Sequence, residues 1–320
     1  VTQFGGRRSA LWALALLTVL LVIASLFVGA GDLRTQGSTL LIVSRLPRSL
    51  AAILAGAGLA IAGLVMQTLA RNRFIEPTTA GTGQSAELGI LAVTLLFPSA
   101  SIAAKAFAAS LTALAGTAIF LAAARRLPQT QPALLPLFGL IYGGVIGAGV
   151  TFAAWQADLL QYVEVWTSGE FSGVMSGRYE LLWVSLLTLA LAWWIADRLT
   201  LMSLGRDVGL ALGLDYRATM RLGLIVVSVT SALVVTVVGT IPFVGLVVGN
   251  IVTRMVGDDL KGALPLAALG GAALTLFCDI IARLLRYPYE IPVGTVLGIV
   301  GAGVFLWLLF GRPSPRTRHG

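Results

Sequence analysis

Residues 201–217 read LMSLGRDVGLALGLDYR, a charged, glycine-punctuated interruption in a chain otherwise built from apolar runs. The stretch is too polar to cross a bilayer and too apolar to be a mere linker. Leu201, Leu204, Val208, Ala211 and Leu212 recur at helical spacing and give one apolar face. A short amphipathic segment between two membrane spans reads as a docking surface. The question it sets is what docks there, not what reaction the chain performs.

The flanking sequence defines the class. The chain has 320 residues, 57% hydrophobic and 11% charged, with a mean hydropathy of +0.92. That composition implies an all-α polytopic membrane protein embedded in a lipid bilayer. Spans are expected at about 10–30, 49–70, 84–98, 102–124, 134–155, 180–197, 222–239, 243–256, 264–284 and 292–310, at roughly 20 residues per crossing. The third and eighth are short enough to be broken helices. With the N-terminus inside, fifteen of the 22 lysines and arginines fall on the inner side and seven on the outer. This asymmetry implies both termini in the cytoplasm and an even number of spans. The net charge of +8 is then a topology signal and calls for no nucleic acid. Residues 1–320 read as a single transmembrane domain, with 201–217 a cytoplasmic segment and 311–320 a cytoplasmic tail. The apolar run after Arg7-Arg8 reads as a retained first span rather than a signal peptide.

Chemistry-bearing residues are scarce. Cys278 is the only cysteine, inside a span, and His319 the only histidine. No metal site, cofactor or histidine base is expected, and the chain does not read as an enzyme. Glu87 and Asp279 are the only candidate carboxylates within spans. Ion-coupled carriers usually keep buried carboxylates or histidines as relays, so this scarcity argues for an energy source outside the membrane domain. No Gly-x-x-x-x-Gly-Lys-Ser/Thr is present. ATP, if it drives this protein, is bound by another subunit that must push on an inner loop. Segment 201–217 is the most structured inner loop available. The stretch 156–179 is expected outside, with a short interfacial helix and Trp166 as an aromatic-belt residue. Glycines concentrate within spans (Gly56, Gly58, Gly63; Gly143, Gly144, Gly147, Gly149) and allow either close helix packing or a sliding interface.

From about residue 40 to 311 the chain resembles the permease subunits of ABC importers for iron-siderophore, haem and cobalamin complexes. The resemblance rests on Arg45-Leu46-Pro47-Arg48, Gly56 to Ala60, Met66-Gln67, Arg71-Asn72, Ser203-Leu204-Gly205 and Leu212-Gly213. Its most specific part is Gly239-Thr240-Ile241-Pro242-Phe243-Val244-Gly245-Leu246, followed by Asn250, Arg254, Asp279, Arg283 and Glu290-Ile291-Pro292-Val293-Gly294. It implies ten helices per subunit and pairing with a second permease subunit, identical or homologous. It also implies two cytoplasmic ATPases and an extracytoplasmic binding protein, at a bacterial cytoplasmic (inner) membrane. The permease then moves its cargo inward by alternating access.

In that family, Arg45, Arg48 and Arg283 would face the binding protein. Arginine forks pair bidentately with carboxylates, and such complementarity mainly sets orientation and on-rate. Read from the residues alone, the same arginines are rather interfacial anchors or intramolecular partners, with Asp279 and Arg283 one helical turn apart. Ser203, Leu204, Gly205, Arg206, Gly209, Leu212 and Gly213 would form two short helices filling a groove on the ATPase. The alternative is a helix lying on the inner leaflet; the mixed signs of Arg206, Asp207 and Asp215 fit a protein groove better. Gln129, Thr130, Gln131, Pro132 and Ala133 fall where the family places its cytoplasmic gate.

Two departures from the family pattern stand out. Asn72-Arg73-Phe74-Ile75-Glu76-Pro77-Thr78-Thr79-Ala80-Gly81 replaces the usual Asn-Pro-Leu-Ala-x-Pro run and resembles a siderophore branch, which makes a ferric siderophore the expected cargo. Gly249 stands where proline is usual and trades rigidity for flexibility. The competing function is an ion-coupled secondary carrier or exporter of a small organic solute, which would transport without a partner chain.

Overall fold

Leu46-Pro47-Arg48 opens the helix around which the others are arranged. Proline is tolerated in a first turn because that N–H has no helical partner anyway, and the helix then runs unbroken to Ala70. The computed structural model of the chain describes residues 2–29, 39–128, 131 and 133–310. Among them all regular structure is helical. In chain order come α1 (Thr2–Phe27), a π turn (Leu41–Arg45) leading into α2 (Leu46–Ala70), α3 (Thr82–Leu96) and α4 (Ile102–Ala124). Next are α5 (Leu134–Gln156), α6 (Leu160–Ser168), and a 3-10 turn (Glu180–Val184) leading into α7 (Ser185–Trp194). The chain closes with α8 (Ala196–Ser203), α9 (Arg206–Ala211), α10 (Tyr216–Val237), α11 (Val244–Val256), α12 (Leu260–Leu284) and α13 (Val293–Phe310).

From Ala51 to Leu69, α2 is buried on all sides apart from Ile53 and Thr68. A helix apolar around its whole circumference belongs in a core, and this one packs against α10, α11 and α12. Small residues decide how closely. A methyl added at Gly56 would run into the Gly271 carbonyl of α12, and one at Gly271 into the Gly56 carbonyl. Gly63 meets Gly245 of α11 in the same backbone-to-backbone fashion. Lipid gives no hydrophobic drive for helices to associate, so such close approach, with its dispersion contacts, holds the bundle. The glycines of α2 are therefore packing glycines. Gly144 and Gly149 of α5, by contrast, have open space beside them.

The outward faces are apolar. Trp12, Leu16 and Phe27 on α1, Leu137, Ile141 and Phe152 on α5, and Leu187 and Trp194 on α7 are all exposed. In water that surface would drive aggregation; in hydrocarbon it is at home. Among the described residues six helices are long and apolar enough to cross a bilayer, or seven if α7 and α8, bent by 56° at their break, form one span with the turn before them. The expected count of about ten exceeds what length and composition support. One of the three that fall short is α13, with Val293–Trp307 among the shorter apolar helices; the other two, α3 and α11, at 15 and 13 residues, are only about 20 Å long, against a hydrocarbon core of about 30 Å. Each follows an irregular stretch, 71–81 and 238–243. Irregular backbone survives at membrane depth only where protein buries it and satisfies its polar groups. The helix expected within 156–179 is α6; its Trp166 is half-buried against the Ala86–Ile90 and Val163 clusters rather than standing free as a belt residue.

Candidate functional site

Three places carry the polar chemistry. The first is at the end of the bundle where α1 stops and α2 starts. A helix C-terminus leaves carbonyls without partners and carries partial negative charge. Here arginines supply the donors. Arg45 Nη1 donates to Leu26 O at 2.6 Å, and Arg283 Nη1 donates to Ser25 O and Val28 O at 3.0 and 2.7 Å. Arg283 Nη2 also reaches Ser25 Oγ at 2.6 Å and Asp279 Oδ2 at 2.6 Å. Asp279, with no solvent exposure, takes Arg48 Nη2 on its other oxygen at 2.8 Å, while Arg48 Nη1 holds Glu290 at 2.7 Å.

All three arginines expected at a docking face are thus at one end and in one cluster. Their forks, however, turn inward. Arg45 and Arg283 are 6% and 3% exposed, and the intramolecular pairing that the Asp279/Arg283 spacing allowed is present. The outermost members are Arg48, Glu290 and the exposed loop 284–290.

The second place is the segment 201–217. Gly205 has φ of 109°, a region that side-chain-bearing residues avoid, and so breaks α8 from α9. The two short helices expected here are the end of α8 and the six-residue α9. Ser203 Oγ bonds back to Thr200 O at 2.7 Å. Gly209 is buried against Leu214, and Asp215 caps α10 by accepting from Ala218 N at 2.9 Å. Leu201 turns inward, whereas Leu204, Val208 and Leu212, each four residues from the next, are 55%, 48% and 58% exposed. Arg206 opens α9 and Gly213 follows it with φ of 80°. The result is a small knob with an exposed apolar stripe, tied to α12 through Lys261–Asp197 at 2.7 Å and Leu260 N donating to Thr200 Oγ1 at 3.1 Å. Of the expected gate, Gln129, Thr130 and Pro132 lie outside the described residues. Gln131 O accepts from Leu134 N at 3.1 Å, and Ala133 is the N-cap of α5.

The third place has no counterpart among the expected site residues. The irregular stretch after α2 doubles back beside the start of α11. There the Glu76 carboxylate, 2% exposed, accepts from Phe243 N at 2.6 Å, Leu246 N at 3.1 Å and Thr78 Oγ1 at 2.6 Å. These are the orphan amides of a helix N-terminus, where a carboxylate is favoured. Asn250 Nδ2 bonds Arg73 O and Leu246 O, both at 2.8 Å. Thr240 Oγ1 donates to Glu87 at 2.8 Å. The two short helices are thus pinned to each other's irregular leads by two carboxylates. Glu87 stood out as a carboxylate within a span. Glu76 did not, because its partner amides lie about 170 positions away and no spacing reveals them.

A family model described as the FecCD transport family matches residues 9–311. The chain is similar to the Petrobactin import system permease protein YclN of Bacillus subtilis (strain 168), 42% identical over 309 residues that cover 94% of this chain and 98% of the relative. It is also similar to the Ferric-anguibactin transport system permease protein FatD of Vibrio anguillarum, 42% identical over 269 residues that cover 84% and 86%. Among solved structures, an inward-facing metal-chelate type ABC transporter superposes with a TM-score of 0.81 at 27% identity, covering 96% of this chain and 100% of the other.

Proposed function

The chain belongs to the FecCD transport family, and from that premise we propose that it carries a ferric siderophore into the cytoplasm as one half of a paired permease. It is the membrane permease subunit of an ABC importer, a transport component and not an enzyme, and import systems of this kind include an ATPase and a substrate-binding protein. The cargo reading is supported by relatives named for petrobactin and anguibactin, at 40–42% identity. Those named for vitamin B12 stand at 32–33%. The 72–81 variant points the same way.

The observation that carries the mechanism is the exposed stripe Leu204, Val208 and Leu212 on α9 and its flanks. A knob with apolar residues turned to solvent fits the groove of a cytoplasmic ATPase, with Ser203, Gly205, Arg206, Gly209 and Gly213 shaping it. In this reading both termini and the 201–217 segment are cytoplasmic, and the gate loop 129–133 lies on the same side.

The binding protein docks at the opposite end. There Arg45 and Arg283 hold the end of α1, while Arg48, Glu290 and the 284–290 loop offer the surface. Charged rims act mainly on encounter and orientation. The second permease subunit is an identical or homologous copy. Reconstituting the chain in proteoliposomes with its ATPase and binding protein tests the reading. ATP-dependent accumulation of a ferric siderophore, competed poorly by cobalamin, supports it. Uptake by the chain alone, driven by an ion gradient, contradicts it.

A further inference from the structure

At the same end of the bundle as α9, the structure forms a half-open cavity of about 1040 Å³. Six arginines line it: Arg71 and Arg73 after α2, Arg125 after α4, Arg206 on α9, and Arg217 and Arg221 on α10. No aspartate or glutamate is among its lining residues. Only Arg73 has a described carboxylate partner, Asp258 at 3.1 Å, with both side chains more than half exposed. Arg71, Arg125, Arg206, Arg217 and Arg221 make no ion pair or side-chain hydrogen bond with any described residue.

The rule that basic residues collect on the inner face explains the side but not this arrangement. Four other cations at the same end are engaged locally. Arg7 and Lys261 pair with Asp259 and Asp197, and Arg198 and Arg254 lie over the rings of Trp194 and Trp307, at 5.0 and 4.7 Å. In the cavity, five solvent-exposed arginines from four separate segments instead line one crevice, with no partner among the described residues. Like charges gathered this way repel, and an anion that bridges them removes that cost. A phosphate group, with several acceptor oxygens, suits the forks of more than one arginine at once.

We propose that this cavity is a binding site for a phosphate-bearing anion. Its walls include Phe74, Leu121 and Leu135 beside the arginines, an amphipathic lining that suits a phospholipid headgroup with the start of its acyl chains; free inorganic phosphate has the same headgroup chemistry. The anion joins the short α9 to two long helices, α2 and α10, that it otherwise touches little. Arg71 sits in a left-handed conformation at φ of 51°, and its guanidinium lies against Gly205, where an added methyl would come within 3.3 Å of Nη2. An anion shared by Arg71, Arg206 and Arg217 therefore clamps the end of α2, the start of α9 and the start of α10 as one piece. The reading of the chain as an importer bears on this site only through which leaflet supplies the lipid.

The test uses the full chain purified in detergent with phosphatidylcholine, without its ATPase. Binding of phosphatidylglycerol is read by native mass spectrometry and by the shift in melting midpoint, with inorganic phosphate in a parallel arm. Arg217→Gln with Arg221→Gln is expected to weaken binding by about tenfold or more, the worth of one charge-assisted hydrogen bond. Arg8→Gln with Arg126→Gln, the same charge change outside the cavity, is expected to leave it unchanged. Arg206→Gln alone serves if the first pair does not fold, because Arg206 lies on an exposed helix outside the spans. Saturation by phosphatidylglycerol identifies the lipid source. Saturation by phosphate alone identifies a soluble one, and either supports the site. Equal loss in the Arg8/Arg126 control, no binding of either probe, or loss of bound anion when the ATPase is added would overturn it; the last would make the arginines contacts for an acidic protein face. None of these readouts depends on transport, so failure here is distinct from failure of the import assay.

Discussion

Asp279 receives Arg48 on both oxygens and Arg283 on one, with no exposure to water, so each arginine is held by a charge that has nowhere else to go. Removing one partner from such a buried set leaves an uncompensated charge. Arg283→Ala also strips Ser25 O and Val28 O of their donor, and it should destabilise the purified protein by about 3–5 kcal/mol, seen as a lowered unfolding midpoint in detergent. Asp279→Ala combined with Arg283→Ala should recover part of that loss. A double variant no better than the single would show that the pairing is not what holds the site. Glu76→Gln replaces one of the acceptor oxygens facing the α11 amides with an amide NH₂. A cost of roughly 1–3 kcal/mol is expected in the same assay, the usual range for a buried donor left unsatisfied. Legibility differs between these residues for a physical reason. The Asp279/Arg283 pair is one helical turn apart and can be read off the chain, whereas Arg283 with Ser25 and Glu76 with Phe243 are long-range contacts. No local period encodes them.

Helix α9 and its flanks show how much an element can state before its structure is seen. Interrupted hydropathy, paired glycines and a mixed-charge start mark 201–217 as a short helical knob. Which apolar residues turn outward depends on the break at Gly205, and here Leu204, Val208 and Leu212 face out while Leu201 turns in. Because Val208 is exposed, Val208→Asp should leave the melting midpoint within about 0.5 kcal/mol equivalent of the parent while abolishing co-purification of the ATPase. Retained co-purification would place the ATPase elsewhere. At α2 and α12 the opposite holds. Gly271→Val pushes a side chain into the Gly56 backbone, and overpacking of this kind costs about 1–3 kcal/mol or more. The expected outcome is loss of the folded, monodisperse peak on size-exclusion chromatography. The short third and eighth spans were legible as short. That their two irregular leads meet, pinned by Glu76 and Glu87, was not, because polar residues between spans look alike whether they lie in water or are drawn back into the bundle.

At the scale of the whole molecule, the class follows from composition alone, since 11% charge over 320 residues leaves little but a bilayer. The family follows from motif order, and the match over residues 9–311 bears it out. Neither composition nor motif shows where the energy enters. In the proposed reading it enters at the exposed knob at one end, with an arginine-bound helix terminus at the other and a central α2 that touches the helices between them. The most direct measurement is siderophore uptake into proteoliposomes holding this permease, its ATPase and its binding protein, with ATP inside or absent. The expected result is accumulation of a labelled ferric siderophore only when ATP, ATPase and binding protein are all present, and none in the Val208→Asp variant. Accumulation without ATP, driven by a proton or sodium gradient across vesicles that contain the permease alone, would contradict it.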